Sequence, residues 1–265
     1  MFGELANLLL TEEHKLLRDL VRKFVKEKIA PFASEIDEKD EFPSQIFKEM
    51  AKLGLTGILI PEEYGGFGED ILSCCIVLEE ISRESPSIAL SLLAHSVLCA
   101  HPIARFGTKD QKEKYLPKLA RGELIGALAI TEPDAGSDTY SIKTTAREEK
   151  DGFIINGSKI FITNGSIADI IIVYAKTSPE KEKKGLSSFI FETNCKGFSV
   201  SKKFEKMGMR GSPTAALFFD NAFCPKENLL GEKDKGFNII VKSFEVERIT
   251  ISAISLGIAL SALEW

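Results

Sequence analysis

The stretch Asp151-Gly-Phe-Ile-Ile-Asn156-Gly-Ser-Lys-Ile-Phe-Ile-Thr-Asn164-Gly165 holds three tight-turn dipeptides, Asp151-Gly152, Asn156-Gly157 and Asn164-Gly165, within fifteen residues. Asp-Gly and Asn-Gly favour the left-handed turns that join antiparallel strands, so this spacing predicts a hairpin meander. Further β-rich runs follow at Ile170 to Tyr174, Leu186 to Phe191, Phe198 to Lys203 and Ala216 to Phe219. Together they predict a β-barrel or sandwich of about a hundred residues.

On the N-terminal side of this region the period changes to that of helices. Thr11 is a candidate N-cap, Glu12 and Glu13 fall in the first turn, and Leu16, Leu17, Leu20, Val21, Phe24 and Val25 form an apolar face that Pro31 should end. Further helices are expected from Ser44 to before Gly54, over 70–84, and from Ser87 past His95 toward Pro102. A last one opens on the capping box of Thr108 and Gln111 and closes at Gly122. Beyond Gly236 the helical signal returns and runs to Trp265, apolar over Ile249 to Leu263, which reads as a buried helix. The expected fold class is therefore α+β and multidomain. An N-terminal helical domain covers 1–122, a middle β-barrel or sandwich domain covers 123–235, and 236–265 opens a C-terminal helical domain.

The chain has 265 residues, 44% of them hydrophobic and 28% charged, with a net charge of −5, which is a globular composition with no general attraction for nucleic acid. Cys74, Cys75, Cys99, Cys195 and Cys224 make an odd number without C-x-x-C spacing and read as free thiols in a reducing compartment. The opening MFGELANLLLTEEHK is too acidic, and its apolar run too short, for a signal peptide; no later run is read as a membrane span, and the cytoplasm is the expected location. His14, His95 and His101 lack metal-ligand spacing, and neither a G-x-S-x-G elbow nor a P-loop occurs. Gly65-Gly66-Phe67-Gly68 does not fit the Rossmann fingerprint. The densest charge run, Glu180 to Lys184, reads as a solvated connection between strands.

Two segments of the β region stand out. In Leu128 to Asp138 a strand enters a loop where the small residues Ala135, Gly136 and Ser137 would let backbone N–H groups approach an anion such as a pyrophosphate; a plain turn from Pro133 to Asp138 fits equally well. In Lys159 to Asn164, alternation puts Phe161 and Thr163 on one strand face. A ring and a hydroxyl there suit a flat polar ring system, and a core Phe beside a surface Thr is the other reading.

Six ordered motifs give the chain its resemblance to the acyl-CoA dehydrogenase family. They are Ile60-Pro-Glu-Glu-Tyr-Gly-Gly66, Gln111-Lys-Glu-Lys-Tyr-Leu-Pro117, Thr131-Glu-Pro-Asp-Ala-Gly-Ser-Asp138, Phe161-Ile-Thr-Asn164, Gly208-Met-Arg-Gly-Ser212 and Pro225-Lys-Glu-Asn-Leu-Leu-Gly231. The stretches Ala94-His-Ser96, Gly126-Ala-Leu-Ala129 and Lys206-Met-Gly-Met-Arg-Gly211 are most similar to its isovaleryl-CoA and short-chain members. The resemblance implies an α, β, α flavoprotein that uses FAD to oxidise a short- or branched-chain acyl-CoA to the 2-enoyl-CoA. An acyl-CoA oxidase, or a non-catalytic acyl-CoA- or partner-binding protein of the same fold, is the alternative.

By that resemblance Leu128, Ile130, Thr131, Gly136, Ser137, Phe161, Ile162 and Thr163 would bind FAD, with the Phe161 ring against the flavin and the Thr163 hydroxyl near N5. Ser137, Glu245, Val246, Glu247 and Arg248 would meet the acyl-CoA. Glu245 stands where an aspartate is frequent in the family, and Phe161 where Trp is common. Glu247, just before Arg248, falls where the isovaleryl-CoA members carry the base; a carboxylate removes the α-proton while the β-hydrogen leaves as hydride to the flavin. No metal is implied. Electrons would pass to an electron-transferring flavoprotein, and a homotetramer or dimer is expected for family members, which continue well beyond the length of this sequence.

Overall fold

The structure, a computed structural model, describes residues 10–68 and 70–265, so most of the opening stretch weighed above as a leader lies outside the described residues. Helix α1 (Glu12–Phe24) starts at Thr11, whose hydroxyl accepts the His14 N–H at 3.2 Å while His14 Nδ1 accepts the Thr11 N–H. His14 thus closes the capping box from the position usually held by Glu or Gln. The helix buries Val21 and Phe24, while Leu16 and Leu20 are exposed, so its apolar stripe is narrower than the sequence suggests. Helical winding does not stop at Pro31. It passes through a π turn over Val25–Ile29 and a 3-10 turn over Ala30–Phe32 into α2 (Ala33–Lys39), where Asp40 ends it at φ 53°. Pro31 sits in the first turn of a new segment, where its missing N–H leaves no gap.

Next come α3 (Ser44–Lys52), α4 (Ile71–Ser82), α5 (Pro86–His95), α6 (His101–Phe106) and α7 (Lys109–Ala120), the last opening on the expected Thr108–Gln111 capping box. A π turn at Ser96–Ala100 joins α5 to α6, so Pro86–Phe106 is one helical rod of 21 residues. This rod and the C-terminal helix α8 (Gly236–Glu264) are both long and apolar enough, by length and composition alone, to cross a membrane. The rod is a core helix: 78% of its apolar window is buried within the fold, including His95, Ser91 and Ser96. In α8 the share is 28%, with Ile249, Leu256, Ile258 and Leu263 exposed, so this helix is buried along one side only.

The strands are β1 (Gly126–Ala129), β2 (Thr145–Glu148), β3 (Gly152–Thr163), β4 (Ile170–Lys176), β5 (Leu186–Glu192), β6 (Phe198–Val200), β7 (Thr214–Pro225) and β8 (Leu229–Leu230). They form one sheet in the order β6-β7-β3-β2-β4-β5-β8, with β1 parallel to β4. The sheet curls, because Phe191 of β5 meets Phe219 of β7 and Phe198 of β6, from the opposite end of the path, at ring distances of 5.1 and 5.3 Å. Asn156-Gly157 is not a turn. It lies inside the twelve-residue β3, opposite a bulge of β7 in which Asn221 takes φ 52°, with Gly157 at φ 145° against Thr144, where a Cβ would approach Thr144 Oγ1 to 2.5 Å. Glycine is required here by its positive φ and by the close approach of Thr144 rather than by a hairpin.

Strand β4 is buried on both faces, as its unbroken Ile170-Ile-Ile-Val-Tyr174 run requires. Ile171, Val173 and Ala175 face the interior of the curled sheet, while Ile170, Ile172 and Tyr174 face a second core shared with α6, α7 and α8. Helix α8 extends across both layers: Ile239 and Ile240 enter that second core, and Val246 and Ile254 enter the core of the helical domain. The connection Pro179–Lys184 between β4 and β5 is a 3-10 turn.

Candidate active site

Strand β3 carries a bulge of its own between Lys159 and Ile162, and it decides where the Phe161 ring points. Phe161 has φ 60° and is 66% exposed, an uncommon conformation for a bulky residue inside a strand. Here Ile160 N–H leaves the β7 ladder and donates to Thr131 O at 2.9 Å, joining the two segments that the sequence singled out. The regular alternation expected for Phe161 and Thr163 is broken by the bulge, yet both line the same cavity.

That cavity, of about 190 Å3, is lined by Leu128, Ile130 and Thr131 from the end of β1, Phe161, Ile162 and Thr163 from β3, Phe244 and Glu247 from α8, and Ala94 and Leu98. Phe204, from the loop before β7, sets its ring 5.6 Å from that of Phe161 and widens the aromatic wall. Phe244 and Glu247 are i and i+3 neighbours on α8 and share its cavity side, whereas Arg248 is exposed. Burial pushes the Glu247 carboxyl above its ordinary range, with Arg248 opposing the shift. A half-buried carboxyl with raised proton affinity, beside apolar walls and two threonines, can accept a proton from a carbon acid.

The remaining predicted positions lie elsewhere. Gly136 and Ser137 are exposed on the crest of the loop after β1, Val246 is buried in the helical core, and Glu245 faces solvent, where Lys242 approaches it at 3.4 Å. A larger groove of about 530 Å3 runs between α2 and α3, lined by Phe32, Ile36, Phe42 and Ile46 together with Glu35, Glu41 and Glu49, and holds none of the site residues expected from the sequence. No cluster of His, Cys, Asp and Glu suited to a metal occurs among the described residues.

Sequence reasoning missed the buried pair beneath the lining. Lys159, 0% exposed, donates to Glu132 Oε1 at 2.8 Å and to Ile130 O at 3.0 Å, and Glu132 also accepts the backbone N–H groups of Lys143 and Thr144. Burial pulls the Lys159 ammonium down, opposed by Glu132; burial alone would raise Glu132, but Lys159 and the N–H donors hold it below its ordinary range. The signal was present: Lys159 shares the inward parity of Phe153 and Ile155, and an inward lysine needs a partner. Asn164, also 0% exposed, donates from Nδ2 to Ser91 O at 2.9 Å and to Gly126 O at 3.1 Å. His95, pushed down to about 4 by burial, is neutral; its Nδ1 accepts Gly126 N–H, which leaves Nε2–H to donate to Leu119 O.

The family model described as acyl-CoA dehydrogenase, N-terminal domain, matches residues 11–123, and the one described as acyl-CoA dehydrogenase, middle domain, matches 127–222. An acyl-CoA dehydrogenase of Bacillus subtilis is 47% identical over 96% of this chain and 67% of its own length. The mitochondrial isovaleryl-CoA dehydrogenase of Arabidopsis thaliana is 44% identical over 98% of this chain and 64% of its own. The solved butyryl-CoA dehydrogenase of Megasphaera elsdenii superposes with a TM-score of 0.93 at 41% identity, covering 96% of this chain and 68% of that one. The chain thus spans about two thirds of the length of these relatives. With both domain models matched in order and these identities over nearly its whole length, the chain belongs to the acyl-CoA dehydrogenase family.

Proposed function

We propose that this protein catalyses the FAD-dependent α,β-dehydrogenation of a short- or branched-chain acyl-CoA to the 2-enoyl-CoA. The observation that carries the reading is Glu247, a half-buried carboxyl with raised proton affinity on the wall of a cavity shared with Phe161, Thr163 and Thr131. These residues fit a flavin: the exposed Phe161 ring offers a flat apolar surface, and two threonine hydroxyls at the cavity offer hydrogen bonds to a polar ring edge. Bound there, FAD supplies the hydride acceptor. Glu247 takes the α-proton, and its raised pKa makes it a stronger base than a solvated glutamate. Ala94, Leu98 and Phe244 line the acyl side with apolar surface and keep water from the carboxylate. Thr163 orients the ring edge, and Leu128 and Ile130 support it from β1. The similarity to isovaleryl-CoA and butyryl-CoA dehydrogenases supports a short or branched acyl group. The electron acceptor is an electron-transferring flavoprotein, and five free cysteines agree with a reducing compartment such as the cytoplasm.

The test is flavin bleaching by a panel of acyl-CoA esters. Glu247→Gln should bind FAD and acyl-CoA as wild type does, yet lose bleaching by on the order of a hundredfold. Wild-type bleaching by Glu247→Gln would overturn the assignment of the base. Absence of bleaching in the flavin-loaded wild type with every ester would overturn the function.

A further inference from the structure

Tyr140 stands in a 3-10 turn, Thr139–Ser141, at the far end of the loop that leaves β1, and its ring stacks on Phe237 of α8 with centroids 4.3 Å apart and planes at 27°. The loop crest between the two ends is open, since a Cβ built on Gly136 meets nothing within 4 Å. At its near end the loop is held by Glu132 and Lys159, and near Tyr140 the Asp138 carboxylate accepts the Tyr140 N–H. Phe237, Ile240 and Phe244 follow one another at i, i+3 and i+7 and so lie on one stripe of α8. All three belong to the core that also contains Ile130, Ala135 and Ile142, from the loop and its two ends. Loop and helix are therefore one packing unit. The stack lies ten residues before Glu247, about 15 Å along the helix axis.

We infer that Tyr140 is a positioning residue: the Tyr140–Phe237 stack holds the loop against α8 and fixes the spacing between the reacting end of the substrate and its pantetheine arm. The inference rests on the function proposed above. A CoA thioester whose acyl end reaches Glu247 has a long polar arm that must leave the cavity, and the exposed Gly136–Ser137 crest and the first turns of α8 flank a route for it. Loss of the stack should let the crest drift from the helix, weakening the grip on the arm and leaving the chemistry at Glu247 intact.

The experiment compares flavin-loaded wild type, Tyr140→Ala and Tyr140→Phe with an acyl-CoA and with the same acyl group on N-acetylcysteamine, which lacks most of the arm. The Kd of a redox-inert S-alkyl-CoA thioether is measured on the same preparations. Tyr140→Ala should raise KM for the acyl-CoA, and Kd for the thioether, about threefold to tenfold, with kcat and the KM of the truncated thioester unchanged. Tyr140→Phe, which keeps the ring, should match wild type. Equal effects on long and truncated substrates, or none on either, would overturn the inference. Wild type that binds no thioether would instead overturn the acyl-CoA reading, and this inference with it.

Discussion

Replacing Lys159 with Met keeps the volume of a fully buried side chain and removes its charge, which leaves the Glu132 carboxylate at 6% exposure without a cation, held by uncharged donors of Lys143 and Thr144. Breaking one side of a buried ion pair costs about 3–5 kcal/mol, and Ile130 O loses a donor in the same step. The double variant Lys159→Met, Glu132→Gln removes both charges and keeps one oxygen as acceptor, where the carboxylate takes Lys143 N–H on Oε2 and Thr144 N–H on Oε1. It should recover to within about 2 kcal/mol of wild type. Urea denaturation followed by far-ultraviolet circular dichroism measures both. The pH dependence has a definite sign. In wild type the depressed carboxyl of Glu132 contributes stability above its unfolded pKa and loses it as pH falls through the folded value. Without Lys159, burial raises that carboxyl and it binds a proton more readily, so the deficit of the single variant should be larger at pH 8 than at pH 5. A deficit under about 1 kcal/mol, or a double variant no better than the single one, would refute the claim that the pair is ionised and mutually dependent.

Thr163→Val preserves shape at the cavity and removes one hydroxyl, so flavin reduction followed by stopped flow should slow about fivefold with the thermal midpoint within a few degrees of wild type. Unchanged reduction would remove Thr163 from the flavin edge. His95 is held near 4 against an ordinary 6.5, so the unfolded chain binds the extra proton between those values and stability should fall by up to about 3 kcal/mol as pH drops from 6.5 to 4. His95→Gln should flatten that part of the stability profile; an unaltered profile would show that another group titrates there.

The order of helical and β regions was legible because each announces itself locally. The capping box at Thr108 and Gln111 and the isoleucine run at Ile170 act within a few residues of chain. The errors share one cause, a local signal with two geometries. Asn156-Gly157 permits a hairpin or a continuous strand with a glycine at positive φ, and only the pairing of β3 with β7 on both sides of it selects the strand. Pro31 forbids a helix interior but suits a first turn, and the packing of α2 selects the latter. At the site, Phe161, Thr163 and Glu247 were found through motif resemblance. Ala94 and Leu98 were not, because small and aliphatic residues on a core helix have no sequence mark until a cavity opens beside them. Lys159 and Glu132, 27 residues apart, were separable from surface charges only by strand parity.

The missed residues explain how the recognised one holds its pose. A bulky residue at φ 60° costs about 1–3 kcal/mol and persists only where its surroundings leave no alternative. Around Phe161 the chain is fixed on both sides: Lys159 is tied to Ile130 and Glu132, Ile160 N–H to Thr131 O, and Asn164 Nδ2 to the backbone of α5 and β1. Ile162, 3% exposed, fills the inner side of the sheet between them. With these anchors in place the bulge can only turn the Phe161 ring outward. The same anchors hold Ile130 and Thr131 at the cavity, so the aromatic shelf and the threonine beside it are positioned by one buried network rather than by the lining residues themselves.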